Sequence, residues 1–388
     1  MKRKILLLAD IASSHTQKWA IALADQGCHV GIFSLNHSNN AWYESHQNIK
    51  VLRQASGKKL PDILPAKLGY FFKRKELLNT IHLFGPDILH AHYASSYGFI
   101  GAISRFKPFF ISAWGSDVFE FPKRSILHKW LLKWTLKKAD KLFSTSLALR
   151  DQMKMYTSKQ IEVVPFGVNT HYFKPSLHST PHLKLRIGIV KGMEDIYGIE
   201  IALQAVRLVQ SCLPLLHFEL HLVGGGSRID HYKKLCEEYN IADKVVFAGK
   251  VPHSEVLSHH QCFDMFLNLT IVDESFGVSV LEAMACEKPV IVSKVPGMIE
   301  IVKPGTGIII EKENPQELAK AIIRLSSSKA QRQSLGKNAR EHVVKNYQFR
   351  ENLSSMMHFY EEAFKEPDLS KVSGQNINEL KPGLTGCN

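Results

Sequence analysis

The sequence predicts an α/β protein made of two Rossmann-like domains. Three observations predict it. At 388 residues the chain is longer than one ordinary hydrophobic core serves, so two domains are expected. Short apolar runs suited to buried parallel strands alternate with stretches of helical periodicity. The alternation then starts again: Lys4–Asp10 opens one series and Leu185–Val190 a second, with a proline-bearing stretch between them. The expected organisation is a first domain over 1–172, a linker over 173–182 and a second domain over 183–347. A helix over 348–365 and a disordered tail over 366–388, which lacks apolar periodicity, complete it.

Composition narrows the class. A hydrophobic fraction of 45% suits a soluble globular protein, and no apolar run approaches the ~20 residues of a membrane span. Met1-Lys2-Arg3-Lys4 followed by five apolar residues imitates a secretory leader. The run stops at Asp10, below the ~7 residues such a leader needs, so a first strand is expected. Cys28, Cys212, Cys236, Cys262, Cys286 and Cys387 are scattered without a C-x-x-C pair, which favours a reducing cytoplasm and no structural zinc. The net charge of +13 is carried entirely by residues 1–170, with 24 Lys and Arg against 11 Asp and Glu, and the remainder is neutral. An anionic partner for the first half is implied.

In that half, Lys4–Asp10 is strand one and Gln17–Asp25 a helix ended by Gly27. No G-x-G-x-x-G follows strand one, so an ordinary dinucleotide site is not expected there. Asp87–His92 is a strand with His92 at its carboxyl end, where ligands of such sheets collect. His90 and His92 share a strand face, but no third ligand is in reach, so no metal is expected. Phe109–Trp114 is the next strand, leading into Gly115-Ser116-Asp117.

Lys123–Lys138 reads KRSILHKWLLKWTLKK. Lys129, Lys133 and Lys137 repeat every four residues on one helical face, with Leu127, Trp130, Leu131 and Trp134 on another. This is the pattern of a helix lying on an anionic membrane surface, and KLGYFFKRK over 67–75 adds a second basic–aromatic patch. Packing on the sheet with solvated lysines is the other reading, and the two are compatible. No nucleic-acid-binding motif occurs.

In the second half, Leu185–Val190 is followed by Lys191, the only cation of its loop before a helix opens at Tyr197-Gly198. Either Lys191 neutralises a diphosphate or it is a surface lysine. Phe218–Val223 runs into Gly224, Gly225 and Gly226, which permit tight turning and close approach of a ligand.

The decisive stretch is 263–300. Phe263–Leu269 is a strand, 272–277 a loop, Val278–Cys286 a helix and 289–292 the next strand. A helix N-terminus offers unpaired N–H groups and partial positive charge, so Ser275, Phe276, Gly277 and Val278 suit a phosphate. Glu274 lies just before the helix and Glu282 about a turn and a half inside it. Carboxylates accept hydrogen bonds well from vicinal hydroxyls, so this layout describes a sugar nucleotide. The plain alternative is a capping Glu274 and a solvated Glu282.

ESFGVSVLEAMACEKPVI resembles the E-x7-E signature of the retaining glycosyltransferases of family 4, which have the GT-B fold. The resemblance implies that Glu282 binds the ribose, that Glu274 meets the donor sugar, and that amides near 276–278 meet the diphosphate. It extends to L-V-G-x-G, which brings Gly224 and Gly225 near the nucleotide. It also brings in the 251–253 region, where His253 would neighbour ribose or base. In the first half it implies that Ser14 and His15 contact donor or acceptor, unless His15 and Thr16 merely cap the helix, and that His92 lines the acceptor side. Asp117 matches the family's acid, orienting a sugar hydroxyl or capping its helix, while Trp114 stands where the family commonly has His. Ile189 and Tyr197 fill slots where the family has Arg and Lys, which leaves Lys191 as the diphosphate's cation.

The implied activity is retaining hexosyl transfer from a UDP- or GDP-linked sugar, without cofactor or metal, and the chain holds no D-x-D. A glycan or lipid-linked acceptor is implied, in cell-surface polysaccharide or lipopolysaccharide synthesis at the cytoplasmic membrane face. The alternatives are a GT-B nucleotide-sugar epimerase and a non-catalytic nucleotide-sugar-binding relative.

Overall fold

A computed structural model describes residues 3–37, 41–54, 70–176 and 183–364, with side chains described from Lys73 onward in the helix that begins at Tyr70. The expected tail, part of the linker and residues 67–69 of the basic–aromatic patch lie outside the described residues.

The first domain runs β1 (Lys4–Leu8), α1 (Ser14–Asp25), β2 (His29–Phe33), β3 (Ile49–Arg53), α2 (Tyr70–Phe84), β4 (Ile88–His92), α3 (Tyr97–Ser104), β5 (Phe109–Ala113), α4 (Ser116–Phe119), α5 (Ile126–Lys138), β6 (Lys141–Ser144), α6 (Leu147–Met153) and β7 (Ile161–Val163). Its sheet has the order β3-β2-β1-β4-β5-β6-β7, with every pairing parallel. The reason is visible in β1. Ile5 and Leu7 point into one core and Leu6 and Leu8 into the other, all fully buried, so the strand is apolar throughout and must be covered on both faces.

The second domain runs β8 (Leu185–Val190), α7 (Ile199–Cys212), β9 (Phe218–Val223), α8 (Ile229–Glu238), β10 (Val245–Gly249), α9 (His253–Cys262), β11 (Met265–Asn268), α10 (Val278–Ala285), β12 (Val290–Ser293), α11 (Pro296–Ile301), β13 (Gly307–Ile310), α12 (Pro315–Ser326) and α13 (Lys329–Asn346). Its six strands are again parallel, in the order β10-β9-β8-β11-β12-β13. In each sheet the strand order reverses beside the first strand of its domain, where doubly wound folds bind ligands.

The last helix, α14 (Phe349–Phe364), leaves the second domain and packs on the first. Leu353, Met356 and Tyr360 join the core formed by Ile5, Trp19 and Phe110, and the Tyr360 hydroxyl lies 2.6 Å from His90 Nδ1. The second nitrogen of His90 meets Ser112 Oγ at 2.8 Å, so this buried imidazole is satisfied as a core group.

Two boundaries differ from expectation. α1 begins at Ser14 because Ser13, in extended conformation, accepts a hydrogen bond from His15 N. Ser14 and His15 therefore sit in the first helical turn, and the cap is Ser13 rather than His15 or Thr16. The basic helix α5 begins at Ile126, three residues later than the basic run, because Ser125 caps it by accepting from His128 N.

Candidate functional site

The site is assembled by the carboxyl ends of β8, β9 and β11 in one domain and of β1, β4 and β5 in the other. Lys191 follows β8 directly. Its Nζ lies 2.5 Å from Glu274 Oε1 and 4.9 Å from the centre of the Tyr197 ring. Both partners of the ion pair are largely shielded, and Glu274 Oε2 is buried without a partner. A buried carboxylate oxygen with nothing to accept from is costly unless a ligand hydroxyl arrives.

Gly277 is the N-cap of α10, and no side chain caps that helix. Its first amides therefore face the loop carrying Glu274, Ser275 and Phe276. The helix is buried on all sides from Val280 to Ala285, and Gly277 packs under Met298. The side chain of Ser275 is not aimed at a ligand. Its hydroxyl donates to the Trp114 carbonyl of the other domain at 2.6 Å.

Glu282, one turn into α10, is only 5% exposed. Its Oε1 lies 3.3 Å from His253 Nε2, and its Oε2 lies 3.4 Å from His260 Nε2, an electrostatic contact rather than an aligned hydrogen bond. Burial opposes ionisation of this carboxyl, yet the two histidines outweigh it and hold the pKa down at about 2. Glu282 in return raises the pKa of His253, against burial. The solvated reading of Glu282 is thus corrected: the residue is a buried anion clamped between two imidazoles. His260 was missed. The signal was its seven-residue spacing from His253, two turns of α9 on one face.

From the first domain, His15 stacks on Phe166 with centroids 4.1 Å apart and planes 9° from parallel, and it meets Trp114 edge-on at 5.8 Å. Burial, then Lys18, lowers its pKa to about 4; Glu282, His253 and Lys191 all lie close enough to act on it. Lys18, one turn further along α1, donates to the Phe166 and Gly167 carbonyls at 3.1 and 2.8 Å; burial lowers its pKa to about 8, against the pull of Glu282. Lys18 too was missed, since its partners lie about 150 residues away in the chain. His92 packs on Trp114 at 4.9 Å, with Nδ1 buried and unpartnered. Trp114 also contacts Phe166 at 5.3 Å, so an aromatic floor of His15, His92, Trp114 and Phe166 stands beside the carboxylates. Ser14 is exposed at the mouth.

Three expected residues, Asp117, Gly224 and Gly225, have structural work. Asp117 is fully buried in the first turn of α4, and its oxygens accept from the main-chain N–H groups of Ala94, Trp114 and Gly115. It therefore ties the exit loops of β4 and β5 together, which leaves no oxygen directed at a sugar. Gly224, at φ +145°, would bring an added Cβ to 1.8 Å from the Lys191 carbonyl. Close approach there is by the Lys191–Met193 backbone, and a Cβ on Gly225 would meet Lys250 at 3.2 Å. These glycines let the loop that carries Lys191 pack closely on its neighbours. Among the described residues no group of three metal-ligating side chains gathers.

Three contacts join the two domains in this arrangement. Glu300, at the end of α11, accepts from Leu147 N and Ala148 N at 3.0 Å each, capping α6 of the other domain. Ser275 bonds Trp114, and Lys123 Nζ lies 4.0 Å from Asp273.

Two parallel-sheet α/β domains closed over a shared cleft, with the last helix returned to the first, constitute the GT-B architecture. The chain superposes on sucrose-phosphate synthase from Thermosynechococcus elongatus with a TM-score of 0.80 at 22% identity, covering 94% of this chain and 99% of that one. HepE from Anabaena in complex with UDP-glucose gives 0.75 at 17%, covering 92% and 99%. At such identities the likeness is one of fold. The family described as glycosyl transferases group 1 matches residues 180–342, and the one described as glycosyl transferase 4-like matches 4–146. The second domain thus matches glycosyltransferases of the group 1 type and the first matches the 4-like type. An uncharacterised glycosyltransferase of Methanocaldococcus jannaschii is 28% identical over 73% of this chain and 78% of its own length. The D-inositol 3-phosphate glycosyltransferase of Acidothermus cellulolyticus is 30% identical, but over 48% of this chain and 46% of its own length.

Proposed function

We propose that the chain is a family 4 enzyme, a retaining, metal-independent hexosyltransferase that moves a sugar from a nucleoside diphosphate to a glycan or lipid-linked hydroxyl. The carrying observation is the shielded Lys191–Glu274 pair beside the uncapped helix that bears buried Glu282. In this reading Glu282, ionised and held rigid by His253 and His260, accepts from the two ribose hydroxyls. The first amides of α10 and the Lys191 ammonium bind the diphosphate, and they stabilise the negative charge that grows as the nucleoside diphosphate departs. Glu274 accepts from a donor-sugar hydroxyl with the oxygen that has no partner in the protein. No side chain is required as nucleophile. The departing phosphate oxygen takes the proton of the acceptor hydroxyl as that hydroxyl attacks the same face of the sugar, so the anomeric configuration is kept. His15, His92 and Ser14 line the acceptor's approach.

HepE has been captured with UDP and with UDP-glucose, which favours a UDP-linked donor for the same cleft. The exposed apolar and basic residues of α5 support peripheral association with an anionic membrane, at its cytoplasmic face. No described helix is long and apolar enough to cross one.

The test is a panel of UDP-, GDP- and ADP-sugars scored first by thermal shift and then by hydrolysis, with proton NMR of the first-formed sugar. An α-linked donor should release α-sugar first. Release of β-sugar sinks the retaining assignment, and no stabilisation or turnover with any donor sinks the enzyme reading.

A further inference from the structure

α5 is apolar on two sides. Leu131, Leu132 and Leu136 are buried in the core, as a helix covering a sheet requires. Ile126, Leu127 and Trp130 on the other side are 88, 49 and 58% exposed. Water-facing apolar groups of this size, gathered on one helix, mark a contact surface.

Between α5 and α3 runs a cavity of about 960 Å³. Its walls are Phe99, Phe106, Phe109, Leu127, Trp130 and Trp134. Arg74, Arg105, Lys107, Lys137 and Lys138 also line it, and no acidic residue does. Lys107 is paired with Asp140, and Lys138 lies 5.5 Å over the Trp134 ring. Among the described residues, Arg74, Arg105 and Lys137 have no carboxylate partner. Phe109 opens β5, whereas the catalytic loops leave the strands at their other ends. The end of the cavity at Phe109 and Lys138 therefore lies at the sheet edge opposite the catalytic loops.

We infer that this groove between α3 and α5 seats a hydrocarbon chain of an anionic glycerophospholipid, with Arg105, Lys137 and their neighbours on its phosphate. The inference rests on the membrane-surface reading of α5 above and is independent of the donor chemistry. Charge complementarity chooses the occupant: an apolar slot of ligand size ringed only by cations suits an anion with a long apolar tail. Each buried methylene contributes about fourfold to partitioning, and each lysine near the bilayer about fivefold.

The test uses the full chain and vesicles of phosphatidylglycerol or phosphatidylcholine, both carrying dibrominated acyl chains, with tryptophan fluorescence as readout. Phosphatidylglycerol vesicles should bind the chain and quench it; phosphatidylcholine vesicles should do neither. Trp130→Phe with Trp134→Phe should keep binding and lose most of the quenching, which locates the chain in the groove. Trp130→Glu and Lys137→Glu should each cut vesicle partitioning about tenfold or more while circular dichroism and donor hydrolysis stay as in the parent. Equal quenching by both lipids, unchanged binding of Trp130→Glu, or a concentration-dependent dimer that ignores vesicles each overturns the inference. A parent chain that turns over donor but binds no phosphatidylglycerol vesicles refutes the groove alone, and a parent chain that binds them without turning over any donor refutes the enzyme reading alone.

Discussion

Removal of the Glu282 carboxylate should break nucleotide binding before it breaks the fold. The group is 5% exposed, its two oxygens lie 3.3 and 3.4 Å from imidazole nitrogens, and its pKa is about 2. A hydrogen bond to a charged group contributes about 1.5–3 kcal/mol, so losing the ribose contacts in Glu282→Ala should cost about 3 kcal/mol, or roughly 100-fold in Kd. Glu282→Gln keeps the shape and one acceptor and should lose about tenfold. Isothermal calorimetry with UDP and GDP at neutral pH reads both variants. Affinities within about twofold of the parent for both nucleotides would refute the ribose role.

The same residue makes a separate statement about stability. Its folded pKa lies below the ordinary 4.5, so its contribution is fully present above pH 4.5 and is lost as pH falls towards about 2. The upper bound is about 3 kcal/mol, reduced because His253 is 62% exposed and screened. Urea titrations at pH 6 and pH 3 should show a shallower acid loss in Glu282→Gln than in the parent.

Lys191→Met should lower donor turnover about 10²–10³-fold, since it removes the cation proposed to face the leaving group; a kcat within threefold of the parent, a difference of about 0.6 kcal/mol, ends that role. Burial lowers the pKa of His15 to about 4 and that of His92 to about 3. Their unfolded forms bind protons near pH 6.5, so stability should fall as pH drops below that value, by about 2 kcal/mol per histidine at pH 5; His15→Phe should flatten this limb in denaturant titrations. Tyr360→Phe strands the buried His90 Nδ1 and should cost about 1–3 kcal/mol in urea unfolding. Glu300→Ala removes the cap that spans the cleft, so small-angle scattering of the nucleotide-free protein should report a larger radius of gyration, and an unchanged radius would show that the cap does not hold the domains together.

Much of this site was legible because its key parts lie close together in sequence. Glu274, the helix start at Val278 and Glu282 fall within nine residues, so helical rise alone set their spacing. Both sheets were legible because parallel strands buried on two faces are apolar without interruption. What could not be read were pairings between distant segments. Lys18 meets the Phe166 carbonyl, Ser275 meets Trp114 and Glu300 meets α6, and none of these leaves a local pattern. Asp117 and Gly224 were assigned to a ligand because a short polar loop looks the same whether it binds a sugar or another loop. The observed amide donors decide the matter for Asp117, and the 1.8 Å approach to Lys191 shows why residue 224 is glycine.

The return of α14 fixes how the halves can move. The chain passes between domains near Val168 and again near Gln348, and the two passages are joined to each other: Val168 N donates to the Tyr347 carbonyl at 2.9 Å, Phe349 N donates to the Val168 carbonyl at 3.1 Å, and Thr170 Oγ1 donates to Gln348 Oε1 at 2.9 Å. A double-stranded joint of this kind resists twisting and sliding and leaves a single swing about the line through the pair. Opening far enough to exchange substrates therefore needs no unfolding, and closing along one arc returns Trp114 to Ser275 and His15 to the neighbourhood of Glu282.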